Sequence, residues 1–86
     1  MENDSKKYYT YIILTVNDTF YCGYTDDLEK RFEAHLSGKG AKYTRANKPL
    51  KIVYSKCFDT KVEAQREERR IKLMKRAQKL ELIKRT

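Results

Sequence analysis

No stretch of this chain approaches the roughly 20 consecutive apolar residues needed to cross a bilayer, which sets aside a membrane-spanning role. The opening segment Met1-Glu2-Asn3-Asp4-Ser5-Lys6-Lys7 has no apolar stretch of the kind a signal peptide carries, so a cytoplasmic location is expected. Cysteine is scarce: Cys22 and Cys57 stand far apart, without a Cys-x-x-Cys spacing, and only one histidine is present to complete a zinc set. Nothing points to an oxidising compartment, so free thiols buried in their apolar segments are expected, with a disulfide the alternative should the two be neighbours in space. Internal repeats and low-complexity segments are absent as well.

What is there is a short, charged and basic chain. Its 86 residues accommodate one domain with a compact core, expected over 8–86 and preceded by a flexible stretch at 1–7. Apolar residues make up 40% and charged residues 37%, so much of the length must lie at the surface. The 20 Lys and Arg outnumber the 12 Asp and Glu, giving a formal charge of +8 that favours polyanionic partners.

Residues 8–14 are aromatic or β-branched almost throughout, as in a central strand covered on both sides. The turn signal Val16-Asn17-Asp18-Thr19 returns the chain as a second, antiparallel strand over 20–24. Asp26, with Glu29 three residues on, predicts a capped helix to about Ser37 whose stripe Leu28, Phe32, His35 and Leu36 is buried with Arg31 beside it. The stretch 38–48 reads as a basic loop without acids, and Pro49 opens a third strand through Phe58. The capping box Thr60-x-x-Glu63 starts a helix from Val62 to about Met74. On its buried stripe, with Ala64, Ile71 and Met74, stand two carboxylates, Glu67 and Glu68. A bend near Lys75-Arg76 precedes a last helix over 77–84, with Leu80 and Ile83 facing inward. The expectation is an α/β (α+β) domain: a small three-stranded antiparallel sheet flanked by helices, in the order β-β-α-β-α-α.

Tyr9-Thr10-Tyr11 and Tyr21-Cys22-Gly23, followed by Gly23-x-Thr25, Leu28-x-x-Arg31, Arg31-x-x-x-His35 and Ala64-x-x-x-Glu68-x-x-Ile71-Lys72, resemble the paired signature of the GIY-YIG nucleases, in their short stand-alone branch. The resemblance covers about 8–84. Tyr9 stands where the family has its first Gly, and Thr10 and Cys22 replace the two Ile; the chemically useful groups remain. No Asn in the C-terminal helices matches the one some relatives use.

The resemblance implies an active site of Tyr11, Tyr21, Arg31, His35 and Glu68. Glu68 would hold a Mg²⁺ or Mn²⁺ ion, which needs only one or two carboxylates when substrate phosphate completes the shell. Arg31 would present a charged fork to phosphate. Tyr11 would position or deprotonate the attacking water with help from His35, and Tyr21 would orient water or phosphate. Taken singly, each residue has a plainer reading. The tyrosines are more often packing aromatics, Arg31 a solvated residue and His35 a core-edge imidazole. Glu68 could simply pair with Lys72 at i, i+4, although its stripe position argues against that. Spacing does not choose between Glu67 and Glu68; the resemblance picks Glu68.

The function expected is thus a metal-dependent nucleic-acid phosphodiester hydrolase, structure-selective or non-specific. DNA ranks ahead of RNA, and a monomer or weak dimer is expected. Lys39, Lys42, Arg45 and Lys48 in the loop, and Arg69, Lys72, Lys75 and Arg76 in the C-terminal helices, are the expected backbone contacts. The alternative is a non-catalytic nucleic-acid-binding module on the same fold, and a protein-interaction domain ranks below both.

Overall fold

The computed structural model describes residues 6–85. The flexible segment expected at 1–7 falls mostly outside them, while Lys6 and Lys7 are tied down by ion pairs to Asp26, at 2.9 Å, and to Asp59. The elements are β1 (Tyr8–Thr15), β2 (Phe20–Thr25), α1 (Leu28–Leu36), α2 (Lys42–Ala46), β3 (Pro49–Phe58), α3 (Lys61–Lys72) and α4 (Arg76–Lys84). The sheet is antiparallel with the order β2-β1-β3, so the aromatic and β-branched β1 is central, as its two-sided apolar pattern requires. The expected order gains one element, because the basic loop contains the short helix α2.

Alternation along β1 separates the two faces of the sheet. Thr10 and Ile12 face α3: the Thr10 hydroxyl donates to the Ala64 carbonyl at 2.7 Å, and Ile12 joins Cys22, Tyr54 and Ile71 in the core. Tyr11 and Ile13 face the other way, meeting Leu28 and Phe32 of α1 and Ile52 of β3. The pairing with β3 shifts between Ile12 and Ile13, where Ile12 opposes Tyr54 and Ile13 opposes Ile52. This bulge lets β3 supply a large side chain to each face.

The local signals explain the element ends. Asp27, rather than Asp26, caps α1 by accepting from the Lys30 amide at 3.1 Å; the Thr25 hydroxyl accepts from the Asp27 amide, which sets the turn one residue later, and Asp26 pairs with Lys6. Gly38, at φ +83, closes α1: the Lys39 amide bonds back to Ala34 at 2.8 Å and the Gly38 amide to His35 at 3.2 Å. The chain therefore folds back over His35, leaving Leu36 exposed where a buried residue was expected. The Thr60 and Glu63 capping box is present. In α4 the inward pair is Leu82 and Ile83, and Leu80 is exposed. The rotation of this helix is set at its start, where Arg76 pairs with Asp18 at 3.1 Å and lies 4.8 Å over the Phe20 ring.

Of the two thiols expected to be buried, only Cys22 is; Cys57 is exposed on β3, at the rim of the sheet. Burial pushes the Cys22 thiol up to about 12, with the Glu68 charge adding to it. A thiol reagent at mildly alkaline pH should therefore label Cys57 alone in the native protein and both cysteines in denaturant, as read by mass spectrometry of tryptic peptides. Equal labelling of Cys22 in the native state would show that the α3 face is not closed.

Candidate active site

Four of the five sequence-predicted residues meet on the α1 face of the sheet. The Tyr11 side chain from β1 points under α1, where its hydroxyl lies 2.9 Å from Nε2 of His35. Both side chains are almost wholly buried, at 2% and 1% exposure. The Tyr11 ring reaches this position because it lies against Gly23, its partner across the β1–β2 ladder. A Cβ on Gly23 would fall 2.6 Å from the Tyr11 hydroxyl, so the glycine of the second signature is what clears room for the first signature's phenol.

On its other side His35 is enclosed by the segment that Gly38 turns back. Nδ1 lies 2.7 Å from the Thr44 hydroxyl on α2 and 3.4 Å from the Ala41 amide. The Thr44 hydroxyl is also 3.0 Å from the Ala41 carbonyl. Gly40 lies flat on the imidazole: a Cβ there would overlap Nδ1 and come within 2.8 Å of Cε1.

The electrostatics follow from this enclosure. Burial pushes the Tyr11 phenol up to about 12, against the pull of the Arg31 guanidinium beside it. Burial, and then the Arg31 charge, hold the His35 imidazole below its usual value. At neutral pH the pair is therefore a protonated phenol facing a neutral imidazole, the arrangement in which a proton can move from oxygen to nitrogen. Arg31 is half-buried, and its Nε is buried without a hydrogen-bond partner. Leaving a charged donor unsatisfied costs about 1–3 kcal/mol or more. Tyr21 packs its ring 5.2 Å from that of His35 and 6.4 Å from that of Tyr11. Over Tyr21 is stacked Tyr43 of α2, at 6.0 Å and 21°.

Glu68 stands apart from these four, on α3 and so on the opposite side of the sheet, towards the β2 edge where the Glu68 carbonyl lies 3.8 Å from the Cys22 thiol. The pairing with Lys72, which its stripe position argued against, is present at 3.0 Å. Lys72 is in turn raised above its ordinary value, chiefly by its hydrogen bond to Glu68, with Tyr21 contributing. The structure does separate the two carboxylates that spacing left equal. Glu67 is buried and fully engaged, accepting from the Tyr54 hydroxyl at 2.9 Å and from Arg70 at 2.9 and 2.7 Å. Its pKa is lowered, first by Arg70. Glu68 has one cationic partner and lies beside open surface lined by Gln65, Arg66 and Arg69.

Among the described residues no group of three or more His, Cys, Asp or Glu side chains is placed to hold a metal ion alone. The donor set that Glu68 offers therefore fits a hard, largely hydrated ion completed by substrate phosphate, and does not fit a closed protein cage.

Of the expected backbone contacts, Lys39, Lys42, Arg45 and Lys48 are exposed around α2, and Arg69 and Lys75 are exposed on the C-terminal helices. Lys72 is tied to Glu68, and Arg76 is held by Asp18. Sequence reasoning passed over Thr44, Gly40 and Tyr43. The available signal was the three-residue step from Ala41 to Thr44 inside a segment punctuated by two glycines, which marks a turn but does not say what it encloses.

The chain is similar in sequence and in fold to known proteins. The family model described as GIY-YIG catalytic domain matches residues 7–81. A UPF0213 protein of Bacillus pumilus is 45% identical over 76 residues, covering 88% of this chain and 78% of its own. The solution NMR structure of a UPF0213 protein from Bacillus halodurans is 40% identical, with a TM-score of 0.59 over 91% of this chain and 83% of that one. An E. faecalis protein solved by NMR is 38% identical, with a TM-score of 0.63 over 98% and 88%.

Two measurements test the enclosure of His35. Because its folded pKa lies below the ordinary value of about 6.5, the unfolded chain takes up its proton first as pH falls. Stability is thus complete above about pH 6.5 and declines as the pH drops from there towards the folded pKa. Urea denaturation across this range should show that slope in the wild type and a shallower one in His35→Gln. At fixed neutral pH, Gly40→Ala should cost about 1–3 kcal/mol by overpacking, and an unchanged urea midpoint would mean that the loop does not press on the ring.

Proposed function

The chain belongs to the GIY-YIG catalytic-domain family, within the UPF0213 group of small bacterial proteins, and from that premise we propose that it is a metal-dependent nucleic-acid phosphodiester hydrolase. The observation that carries the reading is the buried Tyr11–His35 hydrogen bond at 2.9 Å, set beside an arginine whose Nε lacks a partner. A packing tyrosine needs no imidazole acceptor, and a solvated arginine would not bury an unsatisfied nitrogen.

Each residue then has a task that its surroundings suit. Tyr11, protonated at rest, gives its phenolic proton to Nε2 of His35 while its oxygen takes a proton from the attacking water. The water oxygen bonds to phosphorus, and the electrons of the breaking P–O bond leave with the departing oxygen, which takes a proton from solvent. Arg31 binds the phosphate oxygens as negative charge accumulates on them, and its cation also favours the transient phenolate. Tyr21 borders this group and orients the phosphate or water. Glu68 and Lys72 lie over the β2 edge; substrate phosphate and a divalent cation would draw this ion pair apart, leaving Glu68 to the cation. The ion, Mg²⁺ or Mn²⁺, would neutralise phosphate charge and stabilise the departing oxygen.

Around this centre, Lys39, Lys42, Arg45 and Lys48 border the α2 side, and Arg69, Lys72 and Lys75 the α3–α4 side, both suited to a phosphate backbone. The substrate is DNA ahead of RNA, cut without sequence preference by a single domain over 8–86 acting as a monomer or weak dimer.

Labelled single-stranded, duplex and branched DNA and RNA, incubated with Mg²⁺, Mn²⁺ or chelator, test the proposal. Cleavage should require the metal and fall about 100-fold to 1,000-fold in Arg31→Ala, with a comparable loss in Glu68→Ala. Salt-sensitive binding with no cleavage by the wild type under any condition would favour the binding-module reading instead.

A further inference from the structure

The three contacts around Nδ1 of His35 cannot all exist at once, and which of them holds decides the direction of the hydrogen bond to Tyr11. A neutral imidazole has one N–H and one lone pair. If Nδ1 carries the hydrogen, it donates to the Thr44 hydroxyl at 2.7 Å, the hydroxyl donates onward to the Ala41 carbonyl at 3.0 Å, and the bare Nε2 accepts from Tyr11 at 2.9 Å. If Nε2 carries it, Nδ1 accepts either from Thr44, which then gives up its bond to the Ala41 carbonyl, or from the Ala41 amide at 3.4 Å, which leaves two acceptors facing each other at 2.7 Å, and Nε2 points its hydrogen at the Tyr11 oxygen.

The first arrangement keeps every short contact and forfeits only the longest one. With the ring 1% exposed and Gly40 lying against it, water does not compete for Nδ1. The charged and titratable groups facing the ring are Tyr11 from β1, Tyr21 from β2 and Arg31 from α1 itself; none of them reaches Nδ1.

We propose that Thr44 is a positioning residue: held by the Ala41 carbonyl, its hydroxyl accepts the Nδ1 hydrogen of His35 and thereby keeps Nε2 as the acceptor for the Tyr11 proton. The proton path balances. One proton passes from Tyr11 oxygen to Nε2, the phenol oxygen is reprotonated from water, and the resulting imidazolium keeps its Nδ1 hydrogen on Thr44. This inference rests on the hydrolase reading for its catalytic consequence, while the tautomer itself stands independently of it.

The chain's single histidine makes the test direct, because ¹⁵N NMR of the folded protein at neutral pH shows one imidazole. The wild type and Thr44→Ser should show a protonated Nδ1 and an unprotonated Nε2. Thr44→Val keeps the shape of the side chain and removes the acceptor, so the ring should switch to the Nε2-protonated form, with Nδ1 turned to the Ala41 amide. A wild type protonated on Nε2, or a folded Thr44→Val that keeps the Nδ1 hydrogen, overturns the proposal. In cleavage assays, Thr44→Val should lower kcat about 10-fold to 100-fold at unchanged KM, as the loss of a partner that orients an imidazole does, with Thr44→Ser restoring it. A tautomer switch that leaves kcat untouched overturns the catalytic consequence. Should the wild type cleave nothing, the hydrolase reading fails, and the tautomer result still decides the role of Thr44.

Discussion

A neutral imidazole sealed between a sheet and a returning loop is the contact around which the candidate site of this fold is built. His35 has a hydrogen-bonding neighbour at each ring nitrogen, the Tyr11 hydroxyl on one side and Thr44 on the other. To place it there, β1 must carry Tyr11 on the α1 face, α1 must end within a turn of His35, and the following segment must fold back closely enough to touch the ring. Gly38 permits the reversal and Gly40 the approach, each for a different reason: the first through its positive φ, the second through the missing Cβ. Gly23 does for Tyr11 what Gly40 does for His35. All three glycines of the chain thus serve the same pair of side chains.

The two sheet faces divide the work. On the α3 face Ile12, Cys22, Tyr54 and Ile71 form an apolar core, whose one charged intruder, Glu67, is neutralised in place by Tyr54 and Arg70. Removing either partner from such a buried carboxylate would leave it undercompensated, so this network fixes α3 and does not react. The α1 face holds the titratable phenol and imidazole. β2 belongs to both faces and is an edge strand, so the side chains that leave α3 along that edge, Glu68 and Lys72, approach the other face without crossing the core.

How far the sequence discloses this depends on whether a signal is local. The three strands and the capping box of α3 were legible because alternation and side-chain caps act within a few residues. The shared helix face of Arg31 and His35 followed from i, i+4 spacing, while their grouping with Tyr11 and Tyr21 came from the family resemblance. The cap of α1 was displaced by one residue, since Asp26 and Asp27 are equally able to cap and only the Thr25 turn decides between them. Leu80 and Leu82 lie on different sides of α4, and the choice was made at a distance, by Arg76 on the hairpin. The short helix α2 has no side-chain cap and no apolar stripe, and it exists because tertiary contacts hold Thr44 against His35. Glu67 and Glu68 occupy adjacent positions whose difference appears only when Tyr54, more than ten residues away, is brought beside one of them.

The same arrangement explains why stability is given up at this place and not elsewhere. A bare Arg31 Nε, three backbone positions restricted to glycine and a phenol–imidazole pair buried beside a cation all weigh against folding. A hydrophobic set of similar volume would fold at least as well. An anion docking against Arg31 lessens one of these penalties, because the field of its cation on His35 is then partly cancelled. As that field weakens, the imidazole becomes a better base, while the Tyr11 phenolate loses part of the same cation's support. A phosphate bound there would therefore act on both members of the Tyr11–His35 pair through one guanidinium.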